Sequence, residues 1–197
     1  MKIIVLDVET IGLPGFTHAR ATLTDIQPRM VQLSWIVYNG RGEELKRQNH
    51  IIYPENFSIP PFNEQYHGIS TERAKREGKP LREVINLFLQ DLNEAEYIVG
   101  HSIESDVDYI AAEMVRLGME PVIYEKKKIC TMKSSKEFCR INHPRRPGFK
   151  YPKLSELYEI LFGKSFENQH DAIADAQATA DCFWELVNLG IIELHGN

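Results

Sequence analysis

Apolar residues along the chain alternate between a period near two and a period near 3.6, and the changes between them mark out the elements. Residues 2–8 are apolar and rich in β-branched side chains, then broken by Gly12, Pro14 and Gly15, which predicts a buried strand. Residues 30–39 and 44–53 predict two more, with a tight hairpin at Asn39-Gly40-Arg41-Gly42, so the sheet opens as an antiparallel meander. Residues 10–29 are expected to form a long loop over one end. After Pro60-Pro61, short helical turns lead to Pro80, which suits the first turn of a helix over about 81–93 with Leu81, Val84, Ile85, Phe88 and Leu89 on one face. Tyr97-Ile98-Val99-Gly100 predicts a short strand. A helix over 103–117 follows, its stripe of Ile103, Val107, Ile110, Ala111, Met114 and Leu117 stopping at Gly118. A helical patch is expected around 131–139, a loop over 142–149, and helices at about 154–162 and 171–189. The last is rich in alanine, which permits close packing against a sheet. A meander followed by alternating strands and helices is an α/β layer fold.

Composition sets the outer bounds. The chain has 197 residues, 43% hydrophobic and 26% charged, too apolar for intrinsic disorder and long enough to bury a core without staples. One domain over residues 1–197 is expected. No apolar stretch approaches the ~20 residues that span a bilayer, and the N-terminus lacks a signal-peptide pattern, so no membrane association is expected. Three cysteines, Cys130, Cys139 and Cys182, form no C-x-x-C pair, which points to reduced thiols and a cytoplasmic location. A zinc site from Cys130, Cys139 and His143 would match no standard finger spacing.

Charge is unevenly spread. The net charge is -5, yet residues 126–153 hold ten of the 23 lysines and arginines against one acid, Glu137. A segregated basic segment can track phosphates while the acidic remainder supplies carboxylates for metal.

Three places carry candidate chemistry. Asp7 and Glu9 end an otherwise apolar strand, and residues two apart share a face. Two converging carboxylates repel unless a cation neutralises them, and hard oxygen ligands favour Mg²⁺ or Mn²⁺. On its own, an Asp-x-Glu pair reads as a solvated strand end. Gly100-His101-Ser102-Ile103-Glu104-Ser105-Asp106 runs a strand into a helix that opens with Asp106 beside its apolar stripe. Ser105-x-x-Asp108 also matches a capping box, so Asp106 has an ordinary structural reading too. His170-Asp171-Ala172-Ile173-Ala174-Asp175 puts a histidine before the last helix and Asp175 just over one turn inside it, with Asp171 a candidate cap. Together these are four acids and one base, the inventory of two-metal phosphoryl hydrolysis.

In this order and spacing, Asp7-x-Glu9-Thr10, Asp106 after a Gly-His lead-in, and His170-x-Ala172-x-x-Asp175 resemble the three motifs of the DEDDh exonucleases, the DnaQ-like 3′-to-5′ exonucleases of the ribonuclease H-like fold. Val5–Leu13, His67-Gly68-Ile69-Ser70 and Leu154-Ser155-Glu156-Leu157 also resemble family segments, and the similarity covers about residues 1–190. The first motif looks most similar to proofreading subunits, of the epsilon type in bacterial DNA polymerase III. The resemblance implies a central mixed sheet of about five strands flanked by helices, the meander strands antiparallel and the later ones parallel. It implies that Asp7, Glu9, Asp106 and Asp175 hold two divalent metal ions, Mg²⁺ or Mn²⁺, and that His170 deprotonates the attacking water. Thr10, Ile11 and Leu13 would contact the terminal nucleotide, with His67 a further substrate-binding candidate. The middle motif departs from the pattern: Ser102 stands where the family often has asparagine, and Ser105 where an aromatic residue often precedes the aspartate. Glu104 and Asp108 are therefore alternative ligands to Asp106.

A nuclease must also grip a strand. Arg145, Arg146, Lys150 and Lys153 interleaved with Phe149 and Tyr151 are expected to follow the substrate backbone. The function expected is release of nucleoside 5′-monophosphates from the 3′ end of single-stranded nucleic acid, DNA ahead of RNA. An RNA-trimming enzyme of the ribonuclease T or oligoribonuclease type and a noncatalytic nucleic-acid-binding module are the alternatives. The short stretch after Asp175 is not expected to add a polymerase-binding tail; association with a polymerase and the oligomeric state are left open.

Overall fold

The computed structural model describes residues 1–12 and 27–194. Its strands are β1 (Lys2–Thr10), β2 (Met30–Asn39), β3 (Glu44–Ile51), β4 (Tyr97–Gly100) and β5 (Lys127–Cys130), in one sheet of order β3-β2-β1-β4-β5. β1, β2 and β3 pair antiparallel, while β4 runs parallel to β1 and β5 parallel to β4. The helices are α1 (Pro61–His67), α2 (Thr71–Glu77), α3 (Leu81–Glu94), α4 (Ile103–Arg116), α5 (Thr131–Ser134), α6 (Lys136–Cys139), α7 (Leu154–Phe162) and α8 (Ala172–Asn188). This is the mixed five-stranded sheet, antiparallel in the meander and parallel after it, that the resemblance implies.

Strand alternation divides the core into two layers. Ile4, Leu6 and Val8 of β1 join Leu33, Trp35 and Val37 of β2 against α3 and α4. Ile3 and Val5 join Ile36, Tyr38 and Val99 against α7 and α8. Ala178 and Ala180 are buried on α8, which lies on β1, β2 and β4; the small side chains let the helix backbone approach the sheet.

Two elements differ from the sequence reading. β5 is an edge strand that the pattern does not place, because Lys126-Lys127-Lys128 reads as a charge run. The exposed lysines 127 and 128 suit an edge, where charge discourages pairing with another chain. The helical patch at 131–139 is split at Ser135, whose hydroxyl donates to the Thr131 carbonyl at 2.7 Å. Of the long loop expected over 10–29, residues 13–26 lie outside the described residues. Among the described residues no helix is long and apolar enough to cross a membrane.

Candidate active site

Asp7 and Glu9 follow Ile3 and Val5 on the α8 side of β1, so the alternation that packs the core also delivers both carboxylates to one face. Their cross-strand partners on β2 are Ser34 and Gln32, and regular pairing breaks just after Glu9. Glu9 is only 8% exposed and Asp106 7%; Asp7 and Asp175 are half-buried.

Asp106 arrives from the first turn of α4, which begins almost directly after β4. A Cβ at Gly100 would lie 3.0 Å from Asp106 Oδ2 and 3.2 Å from the Ile103 Cα, so the close approach of strand end and helix favours glycine there. The capping box expected at Ser105 and Asp108 is not formed. The helix starts at Ile103, as expected, so Ser105 lies inside its first turn and not at its cap position, and Asp108 instead accepts from the Tyr124 hydroxyl at 2.9 Å. Glu104 is exposed and paired with Lys133. Of the three acids on this turn, Asp106 is thus the one that faces the cluster.

Asp175 lies one turn inside α8, whose start is tied to the sheet by a residue that motif reading missed. Gln32 Nε2 donates to Asp171 Oδ1 (3.0 Å) and to Asn49 Oδ1 (2.9 Å), and Gln32 Oε1 accepts from the Ala172 N–H (3.2 Å). Asp171 caps α8 by accepting from the Ile173 N–H at 3.2 Å, the role expected of it. The signal for Gln32 was present: polar Gln32 and Ser34 interrupt an otherwise apolar strand. His170 just precedes the cap, and its backbone N–H donates to Asp175 Oδ2 at 3.0 Å.

The four acids form one electrostatic unit. Burial, then Asp106, Asp175, Glu9 and Asp171, hold the Asp7 carboxyl well above its usual range. Burial and the neighbouring acids push Glu9 to about 8, burial and Glu104 raise Asp106, and burial raises Asp175 despite its bond from His170. Among the described residues no lysine or arginine pairs with any of the four. Ligand atoms of Glu9, His170 and Asp175 lie within 4.8 Å of one another. Hard oxygen donors crowded without a counter-charge fit a divalent cation of the Mg²⁺ or Mn²⁺ class.

His67 faces the same centre from α1. Its Nδ1 accepts from the Ile69 N–H at 3.1 Å, which leaves the proton on Nε2, a buried atom without a partner among the described residues. Burial and nearby His170 lower its pKa to about 4, so it is neutral. Asn63 on the same helix donates to the Gly12 carbonyl at 3.0 Å, fastening the exit of β1. Thr10 and Ile11 lie on that exit, with the Ile11 N–H donating to the Arg29 carbonyl at 3.0 Å; Leu13 lies outside the described residues.

The basic segment forms a small hairpin closed by an Asn142–Phe149 bridge, with Arg145 and Arg146 exposed at its tip. Lys150 is engaged by Glu156 rather than free, and Phe149 is half-buried. The hairpin is anchored to the middle motif by His101, whose Nε2 donates to the Pro152 carbonyl and whose Nδ1 accepts from Thr131 Oγ1, both at 3.0 Å. Lys153 comes near enough to His170 to lower its pKa, second to burial.

The comparisons with known proteins agree with this geometry. The chain is 28% identical over 186 residues to the 3′-5′ exonuclease DinG of Bacillus subtilis, covering 94% of this chain and 18% of that protein. It is 24% identical to RNA exonuclease 1 of Saccharomyces cerevisiae, covering 87% of this chain and 29% of that protein. The fold matches E. coli exonuclease I in complex with a dA16 oligonucleotide at a TM-score of 0.71 and 17% identity, over 95% of this chain and 41% of that one. The chain thus spans less than a third of these two relatives. The exonuclease family model of RNase T type matches residues 4–183, a span that runs from β1 into α8 and takes in every acid of the cluster, and the chain belongs to that family.

Proposed function

We propose that residues 1–197 form a single, metal-dependent 3′-to-5′ exonuclease domain that releases nucleoside 5′-monophosphates from single-stranded nucleic acid, DNA ahead of RNA. The observation that carries this reading is the convergence of Asp7, Glu9, Asp106 and Asp175, without a paired cation, around His170. The four acids would hold the metal, two ions in this reading. Bound divalent cations supply acidification of the attacking water and neutralisation of charge on the phosphate and leaving 3′-oxygen. His170 takes the water's proton: burial and Lys153 lower its pKa, so the imidazole is neutral and ready to accept at pH 7.

The remaining residues bind and orient. Thr10, Ile11 and Leu13 contact the terminal nucleotide, and the unpartnered Nε2–H of His67 donates to it. Arg145 and Arg146, on a hairpin latched by His101, follow the phosphates, with Phe149 and Lys150 at its base. The three free thiols accord with a cytoplasmic setting. The named relatives support the activity; similarity to an RNA exonuclease favours a second reading in which RNA is the better substrate.

The test is degradation of matched 3′-tailed DNA and RNA in Mg²⁺, Mn²⁺ or EDTA, with wild type and Asp7→Ala. Metal-dependent release of 5′-mononucleotides from the 3′ end is expected, reduced at least about 10³-fold in Asp7→Ala. Absence of turnover by folded wild type on both polymers with both metals would overturn the reading.

A further inference from the structure

His170 occupies a backbone conformation that its own residue type does not favour. Its φ is 68°, and that of Asn168 two residues earlier is 57°, both in the left-handed region where glycine is the easy occupant. Such a conformation persists when surrounding structure over-determines it. One restraint is the bond from the His170 N–H to Asp175, which fixes the backbone but not the ring.

The ring is met by Tyr66. The two ring centroids lie 3.9 Å apart with planes tilted 35° from parallel, a close ring-on-ring contact. Tyr66 leaves 50% of its surface exposed, belongs to none of the three hydrophobic clusters, and among the described residues its hydroxyl has no hydrogen-bond partner. Core packing therefore does not account for it. Asn63, Tyr66 and His67 are spaced i, i+3, i+4, so they share one face of α1. Asn63 ties that face to the exit of β1, and His67 lies in electrostatic reach of His170. α1 thus bridges the first acidic motif and the last.

Resting on the nuclease reading above, we propose that Tyr66 is a positioning residue for His170, its ring serving as the backstop that keeps the imidazole turned to Glu9 and Asp175. The phenol is not itself the base. Burial, Glu9 and Asp175 all raise its pKa, so it stays neutral and acts through its ring face.

The experiment compares wild type, Tyr66→Phe, Tyr66→Leu, Tyr66→Ala and Asp7→Ala in steady-state hydrolysis of 3′-tailed single-stranded DNA and RNA with Mg²⁺, alongside Mn²⁺ binding by calorimetry. Tyr66→Phe is expected to keep kcat within about twofold. Tyr66→Leu, which keeps bulk without a ring face, and Tyr66→Ala are expected to lose kcat by about 10- to 100-fold, as for other residues that orient a functional group. KM and Mn²⁺ affinity should stay within about twofold. A rise in KM with kcat intact would make Tyr66 a base-stacking platform and overturn the proposal, as would a Tyr66→Phe defect equal to that of Tyr66→Ala. Ring protons of His170, read by NMR in the metal-free protein, give a result independent of turnover. They should be shifted upfield in wild type and Tyr66→Phe, and not in Tyr66→Leu or Tyr66→Ala. Inactive wild type with that pattern sinks the nuclease reading alone; unshifted protons in wild type sink the positioning.

Discussion

Helix α4 carries two buried acids that have been treated in opposite ways. Glu113, near its end, is fully buried and answered on several sides: Arg29 Nε at 2.9 Å, Arg116 Nη1 at 3.0 Å, and the Met30 N–H at 3.0 Å. Asp106, in its first turn, is nearly as buried, yet among the described residues it accepts no hydrogen bond and faces further acids. The first arrangement joins the start of β2 to α4 and is architecture. The second leaves buried acids without a counter-charge, an arrangement that costs stability and that proteins tend to keep at functional sites. A buried carboxylate becomes a candidate site through what its neighbours withhold.

Substitution of the paired acid should break this contrast most visibly. Glu113→Ala leaves Arg29, Arg116 and the Met30 N–H without their shared acceptor and is expected to cost about 3 kcal/mol, measured by urea unfolding. Added Mn²⁺ should still stabilise that variant as it stabilises wild type. If stability is unchanged, the two acids are not different in kind.

The unpaired acids should respond with the opposite sign. Glu9 has its pKa raised from 4.5 to about 8 in the folded protein, so the folded state binds a proton more tightly than the unfolded chain. Its contribution is fully present below 4.5 and is lost as pH rises through about 8. The melting temperature of the metal-free protein should therefore fall between pH 5 and pH 8, and Mg²⁺ or Mn²⁺ should flatten the profile. Glu9→Gln should stabilise the metal-free protein at pH 8 by about 1–2 kcal/mol while abolishing the response to metal. A flat profile without metal would mean that the cluster is not frustrated.

The smallest effect is expected at the exposed hairpin. Replacing Arg145 and Arg146 by serine should raise KM severalfold with kcat unchanged and make the dependence of binding on salt shallower by about one to two in log–log slope. An unchanged salt slope would make this tip a solvated charge run.

Much of the fold follows from local pattern. The apolar run of β1 dictates a strand, and its two-residue period dictates that Asp7 and Glu9 leave it on one face. The stripe of α3 and that of α4, the hairpin at Asn39–Gly42 and the alanines of α8 are equally local, and their elements appear within a few residues of the expected bounds. His170 and Asp175 are close in sequence, so their nearness needed only a helix start between them. β5 was hidden because edge strands tolerate lysine, which erases the apolar signal by which buried strands are read.

What no local pattern contains is the choice of partner. Gln32 and Asp171 meet across the chain because α8 is laid on β2, and Tyr66 reaches His170 because Asn63 ties α1 to the end of β1. The Ser105–Asp108 box matches a local capping pattern but falls inside a helix that begins at Ile103. Glu113 and Asp106 look alike as acids on one amphipathic helix; Arg116 lies one turn from Glu113 in the sequence, but Arg29 and the Met30 N–H reach Glu113 only through tertiary packing. Sequence by itself determined the strands, the helices and which side chains could do chemistry, because backbone sterics and hydrophobic period act over a few residues. The tertiary structure decided which of those side chains are neutralised and which stand unanswered, because charge pairing acts between groups that only the completed fold brings within a few ångströms.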